Sequence, residues 1–197
     1  RLMFRRRAKA LELRGERLSL RLPDMGDFSE WRTVRQDSTA FLAPWEPVRD
    51  ADYLGRPAFR NRVYWARRGM EDGRSFPFLI FHAETRQLVG GITLDNVRRG
   101  PAMAGSIGYW MSQNHTRQGY MTEAVGLVVN YAFSHLGLSR IEAACLPENQ
   151  ASRAVLERSG FKYEGVAQSY LQIAGRWRNH VLYANLRRDR RGKTDAS

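Results

Sequence analysis

The sequence predicts a single mixed α/β domain. The chain has 197 residues and a mass of 22.7 kDa, which is close to the length of one domain. Hydrophobic residues make up 43% and charged residues 26%, a composition typical of folded globular proteins. Apolar residues alternate with polar ones in some segments and recur at helical spacing in others. The elements follow in the order strand, helices, three strands, helix, strand, helix and two strands.

The N-terminal half contains one strand followed by helices. Residues 17–22 alternate polar and apolar side chains, which predicts a half-buried strand. Asp24 is expected to cap a helix, and Phe28, Trp31 and Val34 form its inner face. A second helix is expected to start at residues 37–38, and two prolines interrupt the chain within residues 44–47. A third helix is predicted over residues 50–70, with Gly55 and Pro57 close to its start.

The C-terminal half alternates strands and helices. Residues 75–82 and 87–96 predict a hairpin, and 105–112 a third strand with Ile107, Tyr109 and Met111 on one face. A loop over residues 113–118 leads into a helix. The remaining elements are helix 120–136, strand 141–146, helix 149–159, and strands 161–173 and 176–186 on either side of a two-residue turn.

Positive charge is concentrated at the two ends of the chain. The net charge is +12; residues 1–10 carry five net positive charges and residues 187–197 carry three. We therefore expect a basic tail over residues 1–12, a domain over residues 13–186 and a second basic tail over residues 187–197. Such tails can bind RNA or a ribosome surface. Because only three of the 32 cations are lysines, a general arginine bias is the better explanation.

Other classes of protein and site are disfavoured. No run of 18 apolar residues is present, so no membrane span is expected, and the basic N-terminus has no apolar segment behind it. The single cysteine, Cys145, excludes a disulfide framework and fits a cytoplasmic location. The four histidines lack metal-ligand spacing, so no metal is expected. Cys145 lies on a predicted buried strand and is expected to serve packing.

The segment of residues 114–124, Asn-His-Thr-Arg-Gln-Gly-Tyr-Met-Thr-Glu-Ala, carries the first chemical signal. A strand enters a loop with one glycine, Gly119, and the loop opens a long helix. Unpaired backbone N–H groups and the helix dipole then favour a phosphate or pyrophosphate at this end. The segment has neither the GxxxxGK[ST] nor the GxGxxG pattern, which disfavours ATP and NAD. An ordinary glycine turn before a helix is the alternative.

A second segment, residues 147–161, strengthens the first. Asn149 stands at a helix start, Ser152 and Leu156 follow at helical spacing, and Gly160-Phe161 forms the exit. With this order of elements the chain resembles the GNAT superfamily of acyl-CoA-dependent N-acetyltransferases over residues 13–186. The match is best to its RimJ/RimL branch, which acetylates α-amino groups of ribosomal proteins. Local matches lie at residues 41–50, 107–110, 119–124 and 170–182.

The resemblance implies a GNAT fold with acetyl-CoA as cosubstrate. Its central sheet would be a mostly antiparallel mixed sheet of about seven strands, splayed at the acyl-CoA site and flanked by helices. Asn149 and Ser152 would face the pantetheine and thioester, with Arg153 near the nucleotide. Two positions depart from the family pattern: Thr116 replaces Gln or Arg, and Met121 replaces a small residue. The strand residues implied for pantetheine are Tyr109, Trp110 and Met111, and the loop residues implied for pyrophosphate are Thr116, Arg117, Gln118, Gly119, Tyr120, Met121 and Thr122.

The chemistry of an α-amine sets the demands on the catalytic groups. An α-amine has a pKa of about 7.7–8.0, and the lysine side chain has a pKa of about 10.4. Near neutral pH, deprotonation of an α-amine therefore costs less than about 1 kcal/mol, whereas deprotonation of lysine costs about 4 kcal/mol. Positioning can then supply most of the rate, by direct attack in a ternary complex. Backbone donors at Trp110 and Met111 would stabilise the oxyanion, and the Ser152 hydroxyl would assist the departing thiolate.

The general base is assigned by elimination and environment. The positions where some relatives carry a catalytic Glu and Tyr hold Ala144 and Leu156 here. We favour Glu46, because Trp45 and two prolines flank it and an aromatic neighbour desolvates a carboxylate. A solvated turn residue is the alternative. Asn179 stands where many relatives have Asp. The acceptor cleft is expected to include Trp45, Glu46, Tyr170, Trp177 and Tyr183, although aromatic residues on closing strands also serve as core.

Three functions are therefore compared. The favoured one is transfer of an acetyl group to the N-terminal amine, Ala or Ser, of a ribosomal protein. The first alternative is an acetyltransferase for a small amine such as a polyamine, amino acid or aminoglycoside, which requires several carboxylates in the cleft; Glu46, Asp50 and Asp52 are the local cluster. The second is a non-catalytic ribosome- or RNA-binding module that uses the basic tails.

Overall fold

The computed structural model describes residues 10–191, so both predicted tails lie largely outside the described residues. An eight-stranded sheet is flanked by helices, which confirms the predicted fold class. The strands are β1 Glu12–Arg14, β2 Leu18–Arg21, β3 Phe76–His82, β4 Leu88–Arg98, β5 Ala104–Met111, β6 Arg140–Cys145, β7 Lys162–Ile173 and β8 Arg176–Leu186. The helices are α1 Phe28–Asp37, α2 Thr39–Leu42, α3 Arg56–Glu71, α4 Tyr120–Ser134 and α5 Gln150–Arg158. Short 3-10 turns lie at Met25–Asp27, Ala43–Trp45, Gln113–His115 and Arg188–Arg190.

The elements depart from the sequence predictions at a few ends. The sheet has one strand more than predicted, because β1 is only three residues long and pairs with β2 at the sheet edge. The third helix begins at Arg56 and not at residue 50: the preceding residues form hydrogen-bonded turns, and Pro57 falls in the first helical turn. Within residues 10–191, no helix has the length and apolar character needed to cross a membrane.

The central strands of the sheet bury side chains on both faces, whereas most residues of β7 are exposed. Side chains alternate along β3, so Phe78 and Ile80 join one cluster of buried residues while Leu79 and Phe81 join another. The first cluster packs against α4. The second packs against Trp31 of α1 and residues of α3. Two helical layers therefore enclose the sheet and fix the positions of the loops at its edge.

The strand order is β1-β2-β3-β4-β5-β6-β8-β7, and every neighbouring pair is antiparallel except β5 and β6. The parallel pairing of β5 with β6 ends at Ile107 opposite Ala143. Beyond that point β5 continues to Met111 paired only with β4, while β6 continues to Cys145 paired only with β8. The two central strands therefore diverge, which leaves one backbone edge of residues 108–111 without a strand partner.

Candidate active site

The loop before α4 has the geometry of an anion-binding turn. Gly119 is the N-cap of α4 and has a φ of +75°, a conformation that glycine adopts without strain. Arg117 is also left-handed, with a φ of +61°. Among the described residues, the backbone N–H groups of residues 117–122 have no hydrogen-bond acceptor. The N–H group of Glu123 is the first in α4 that has an acceptor: it donates to the Gly119 carbonyl at 3.2 Å. Several donors thus point out of the same end of the helix.

An ion pair with Arg17, the residue before β2, holds this loop in place. The Glu123 carboxylate accepts hydrogen bonds from the backbone N–H groups of Arg17 (3.0 Å) and Leu18 (2.9 Å), and from the Arg17 guanidinium (3.0 Å). The same guanidinium donates to the Gln118 carbonyl at 2.7 Å and lies over the Tyr120 ring. Sequence reasoning did not find this contact, because Arg17 and Glu123 are more than a hundred positions apart.

The two departures from the family pattern do not block the loop. The Met121 side chain is buried in the core cluster beside α4 and so does not occupy the mouth of the loop. The Thr116 hydroxyl donates to the Gln113 carbonyl at 3.2 Å and closes the preceding 3-10 turn. His115 ends that turn; burial, with a contribution from the nearby His82, lowers its pKa.

Gly90 and Gly91 of β4 make room for Trp110 of β5. A Cβ on Gly91 would lie 2.4 Å from the Trp110 indole nitrogen, and one on Gly90 the same distance from the Trp110 carbonyl oxygen. The indole therefore packs across Gly91 on the α1 side of the sheet, where the Arg35 guanidinium lies 4.8 Å from its centre. The neighbouring Met111 packs against the core on the opposite face.

Tyr109 connects β5 to the start of α5. Its hydroxyl is 2.8 Å from the Ser152 Oγ, and burial raises the pKa of the phenol, so Tyr109 is neutral at physiological pH. The Asn149 side chain caps α5 by accepting from the Ser152 N–H at 3.1 Å, as its position in the sequence predicted. Cys145, at the end of β6, is buried, and burial raises the pKa of its thiol. The strand gap is thus bordered by the hydroxyls of Tyr109 and Ser152.

Arg153 and Tyr183 form a separate contact. The Arg153 guanidinium donates to the Tyr183 hydroxyl at 3.0 Å and to the Pro147 carbonyl at 3.1 Å. Tyr183 is only 1% exposed and donates to Glu157 at 3.1 Å. Its interpretation as an acceptor-cleft residue is therefore corrected: its ring belongs to the core, because β8 is covered by α5 at this position. The proposed proximity of Arg153 to a nucleotide stays a prediction.

A pocket of about 460 Å³ lies between α1, the segment of residues 43–54 and the β7–β8 turn. Arg35 and Glu46 meet in it. The Arg35 guanidinium donates two hydrogen bonds to the Glu46 carboxylate, at 3.0 and 2.6 Å, and Arg49 lies 3.5 Å from the same carboxylate. The side chains of Arg35 and Glu46 are 5% and 14% exposed. Burial is the largest single influence on Arg35 and opposes its charge, but the hydrogen bonds to Glu46 and the electrostatic attraction of Tyr53 and Glu46 together outweigh it, so the pKa of Arg35 is raised.

Glu46 is therefore not a solvated turn residue, and its main contact is Arg35 and not the Trp45 ring. The sequence gave no signal for its partner, since nothing in α1 marked Arg35 as a buried arginine. The backbone carbonyl of Glu46 accepts from the Ala174 N–H at 2.9 Å, which joins this segment to the tip of the β7–β8 hairpin. Among the other predicted cleft residues, Trp45, Tyr170 and Trp177 are exposed on these same two segments.

A bulge shapes the hairpin next to the pocket. The register of β7 against β8 shifts between Ala167 and Leu171, and Ser169 has a φ of +44°. The Asn179 side chain accepts from the Ser169 N–H at 3.0 Å and so stabilises the bulge. Asn179 thus has a backbone partner. In the part of the chain that the structure describes, no three His, Cys, Asp or Glu residues are grouped as metal ligands.

Comparisons with known proteins agree with this geometry. Residues 17–162 match the acetyltransferase (GNAT) domain family. The chain is 34% identical over 177 residues to the probable N-acetyltransferase YjcK of Bacillus subtilis, covering 90% of this chain and 98% of that protein. It is 33% identical over 183 residues to the ribosomal protein uS5-alanine N-acetyltransferase of Escherichia coli, covering 92% and 93%. Mycobacterium smegmatis RimJ, solved in complex with CoA-disulfide, has a TM-score of 0.82 at 33% identity, covering 87% of this chain and 83% of that chain.

The fold, the splayed sheet and these matches define an N-acetyltransferase: the chain belongs to the GNAT family. Within the family its relatives include the ribosomal-protein-alanine enzyme and RimJ, which confirms the branch that the motifs indicated. The alternative of a non-catalytic binding module is thereby removed.

Proposed function

We propose that the chain is an acetyl-CoA-dependent N-α-acetyltransferase of RimJ type, which acetylates the N-terminal Ala or Ser of a ribosomal protein. The identity to the uS5-alanine enzyme of Escherichia coli over more than nine-tenths of both chains supports the choice of acceptor class. The observation that carries the proposal is the continuity of the site: the unpaired N–H groups before α4 and the open edge of β5 share one end of the sheet.

The residues at this end fit acetyl-CoA. Main-chain donors 117–122 suit a diphosphate, since backbone N–H groups at a helix N-terminus favour anions. The free edge of residues 108–111 suits the amide groups of a pantetheine arm, which can pair with a strand edge. When bound, acetyl-CoA supplies the activated acetyl group as a thioester. The remaining steps depend on the chain's own side chains.

Glu46 is proposed to bind the acceptor ammonium and accept its proton. An ionised carboxylate offers about four lone-pair directions, so two bonds from Arg35 leave acceptor capacity toward the pocket. Because an α-amine loses its proton near neutral pH, a weak base held in a fixed orientation is sufficient. Arg35 fixes that orientation, and the Glu46 backbone bond to Ala174 fixes the segment.

Ser152 is proposed to assist the leaving thiolate. Its Oγ lies at the N-terminal turn of α5, within 2.8 Å of the Tyr109 hydroxyl. Tyr109 can donate to Ser152 while Ser152 donates into the strand gap, so the two hydroxyls form a short donor chain. The positive end of the α5 dipole at Asn149 and Ser152 further favours a developing negative charge there.

The charges of the pocket support a peptide acceptor over a small polycation. Among its lining residues, the carboxylates Glu46 and Asp50 are accompanied by the guanidinium groups Arg35 and Arg49. A polyamine or aminoglycoside would meet two positive groups in the same pocket. A protein N-terminus presents one ammonium followed by a backbone and side chains, for which the exposed rings of Trp45 and Trp177 offer apolar contact. The cytoplasmic location inferred from the single cysteine stays a prediction.

Mass spectrometry of N-terminal peptides tests the proposal. Purified ribosomal proteins with free N-termini are incubated with acetyl-CoA and the enzyme, then digested and analysed. We expect a gain of one acetyl group on the α-amine of a protein that begins with Ala or Ser, with lysines unmodified. The Gly119→Glu variant serves as the inactive control. Acetylation of spermidine or an aminoglycoside without any N-terminal product would contradict the proposal.

A further inference from the structure

The outward side of α3 is an arginine-rich aromatic surface, and none of the residues that form it lines the Glu46 pocket. Phe59, Val63 and Ala66 are the buried residues of α3, so at 3.6 residues per turn the opposite side of the helix faces solvent. Tyr64 and Trp65 are 54% and 66% exposed, and their rings form an edge-to-face pair with centroids 5.2 Å apart. Two large exposed rings on one helix are costly to leave in water unless they have a partner.

Positive charge surrounds these rings. The side chains of Arg60, Arg67 and Arg68 are exposed and have no ion pair or hydrogen bond among residues 10–191. By contrast, Arg56 and Arg62 of the same helix lie over aromatic rings of the core. We call Arg60, Tyr64, Trp65, Arg67 and Arg68 the α3 surface. The nearest acidic residues along the helix are Glu71 and Asp72 at its C-terminal end. Asp72 forms an ion pair with Arg74, which follows the helix.

A pocket of about 420 Å³ lies beside Trp65. Trp65 and Arg68 form its wall on the helix, Asp95 and Asn96 of β4 line the side formed by the sheet, and Arg74 lies in the turn after the helix. An aromatic wall, two guanidinium groups and neighbouring amide and carboxylate groups are the combination that receives an unstacked base with its phosphate. A carboxylate at this place disfavours a phosphate but can accept a hydrogen bond from a 2′-hydroxyl.

We propose that the α3 surface binds single-stranded RNA, with bases stacked on Trp65 and Tyr64 and phosphates paired with the three arginines. An acidic polypeptide would use the arginines but would gain little from two exposed rings and the pocket beside them. The net charge of +12 adds a long-range attraction for any polyanion. This surface acts independently of acetyl transfer, because none of its residues belongs to the loop, the strand gap or the acceptor pocket.

The electrostatic part is tested by fluorescence anisotropy. The full-length chain is titrated into a 5′-labelled 15-nucleotide oligouridine at several salt concentrations. In the Arg60→Gln/Arg67→Gln/Arg68→Gln variant we expect the slope of log K against log salt to fall by about 2, since each lost phosphate contact contributes about 0.7 for a single strand. The matched control is Arg32→Gln/Arg86→Gln/Arg158→Gln, which removes three exposed arginines outside the α3 surface and the basic tails and should preserve most of the slope.

The stacking part is tested at Trp65. Trp65→Ala should weaken oligouridine binding by between about 5-fold and about 150-fold at fixed salt, the range for loss of one stacked base. Trp65→Phe should recover most of that loss, because it retains an aromatic face without adding charge. Since Trp65 is exposed, neither substitution should unfold the chain, and thermal denaturation checks this.

Four results would overturn the proposal. The first two are that the chain does not bind oligouridine, or that the control variant loses as much of the salt slope as the arginine variant. The other two are that Trp65→Ala binds like the wild type, or that an oligothymidine or a polyglutamate peptide binds as tightly as oligouridine. Acetylation of a free N-terminal peptide is measured in parallel. It should be unchanged in the α3 variants, so failure of RNA binding and failure of the proposed function are distinguished.

Discussion

Arg35 and Glu46 form a doubly hydrogen-bonded ion pair that links α1 to the segment covering the acceptor pocket. Because the Arg35 guanidinium also lies over the Trp110 ring, the pair connects that segment to β5 at the strand gap. The pocket that we assign to the amine and the strand edge that we assign to the thioester arm are thus both in contact with one buried cation. We therefore expect the relative position of the two substrates to depend on this contact.

Separating the pair should destabilise the fold. Glu46→Ala leaves a buried guanidinium without its carboxylate, and we expect a loss of about 3 kcal/mol in the free energy of unfolding. The Arg35→Met/Glu46→Met double variant should be less destabilised than the sum of its single variants, with a coupling of about 2 kcal/mol. Urea denaturation of the wild type, Glu46→Ala, Arg35→Met, Glu46→Met and the double variant measures this. Additive effects would show that the pair contributes no interaction energy.

Replacing Glu46 by glutamine should affect turnover more than acetyl-CoA affinity. The amide of the Glu46→Gln variant keeps one acceptor for Arg35 but is a much weaker base, so we expect kcat to fall by about 100-fold, the lower end of the range for general-base catalysis. Acetyl-CoA affinity, measured by calorimetry, should change by less than about twofold. A pH–rate profile identical to that of the wild type would exclude Glu46 as the base.

Gly119→Glu should abolish acetyl-CoA binding while the protein remains folded. The substitution places a carboxylate among the donors before α4 and forces a side chain into a left-handed conformation, which alone costs about 1–2 kcal/mol. Gly119→Ala separates strain from charge. Gly126→Glu, on the exposed side of the same helix with open space around it, is the matched control for added charge. Calorimetric affinity of Gly119→Glu equal to that of the control would contradict the anion-site assignment.

Ser152→Ala should slow the chemical step. Loss of a hydrogen bond to a charged leaving group corresponds to about 1.5–3 kcal/mol, or a fall in kcat of between about 10-fold and about 150-fold. Tyr109→Phe removes the hydroxyl that lies 2.8 Å from Ser152 and should cause a smaller loss. Single-turnover kinetics with saturating acetyl-CoA measure both. A Ser152→Ala variant with wild-type turnover would remove Ser152 from the mechanism.

His115 should make stability depend on pH. Its pKa is lowered in the folded chain, so the unfolded chain binds more protons below the ordinary value of about 6.5. Stability should therefore be lost as pH falls through that value toward the folded pKa. A His115→Gln variant should show a flatter dependence between about pH 7 and pH 5, measured by urea denaturation. Parallel curves for the two proteins would contradict the role of His115.

The elements of the fold followed closely from residue patterns. Asn149 with Ser152 and Gly160 marked α5 because capping chemistry is local, and β8 was predicted with the bounds that it has. β1 was missed because three residues beside a basic tail carry too short a pattern. The third helix was started too early, since local turns after residue 50 resemble a helical start.

The sequence predicted only those parts of the candidate site whose positions depend on local backbone geometry. Gly119 identified the turn with free backbone donors that we propose for the diphosphate, because a glycine before a helix marks where those donors lie. Arg35 and Arg17 were missed, since their partners Glu46 and Glu123 are brought near by the tertiary fold. Tyr183 was assigned to the cleft because alternation along β8 does not tell which side α5 covers.

The most direct test of the account is a crystal structure of this chain grown with acetyl-CoA. The account predicts hydrogen bonds from N–H groups of the segment 117–122 to the diphosphate, and an extended arm along residues 108–111 that ends between Ser152 and the pocket of Glu46. A fully occupied acetyl-CoA at any other place on the protein, with the turn before α4 empty, would contradict it.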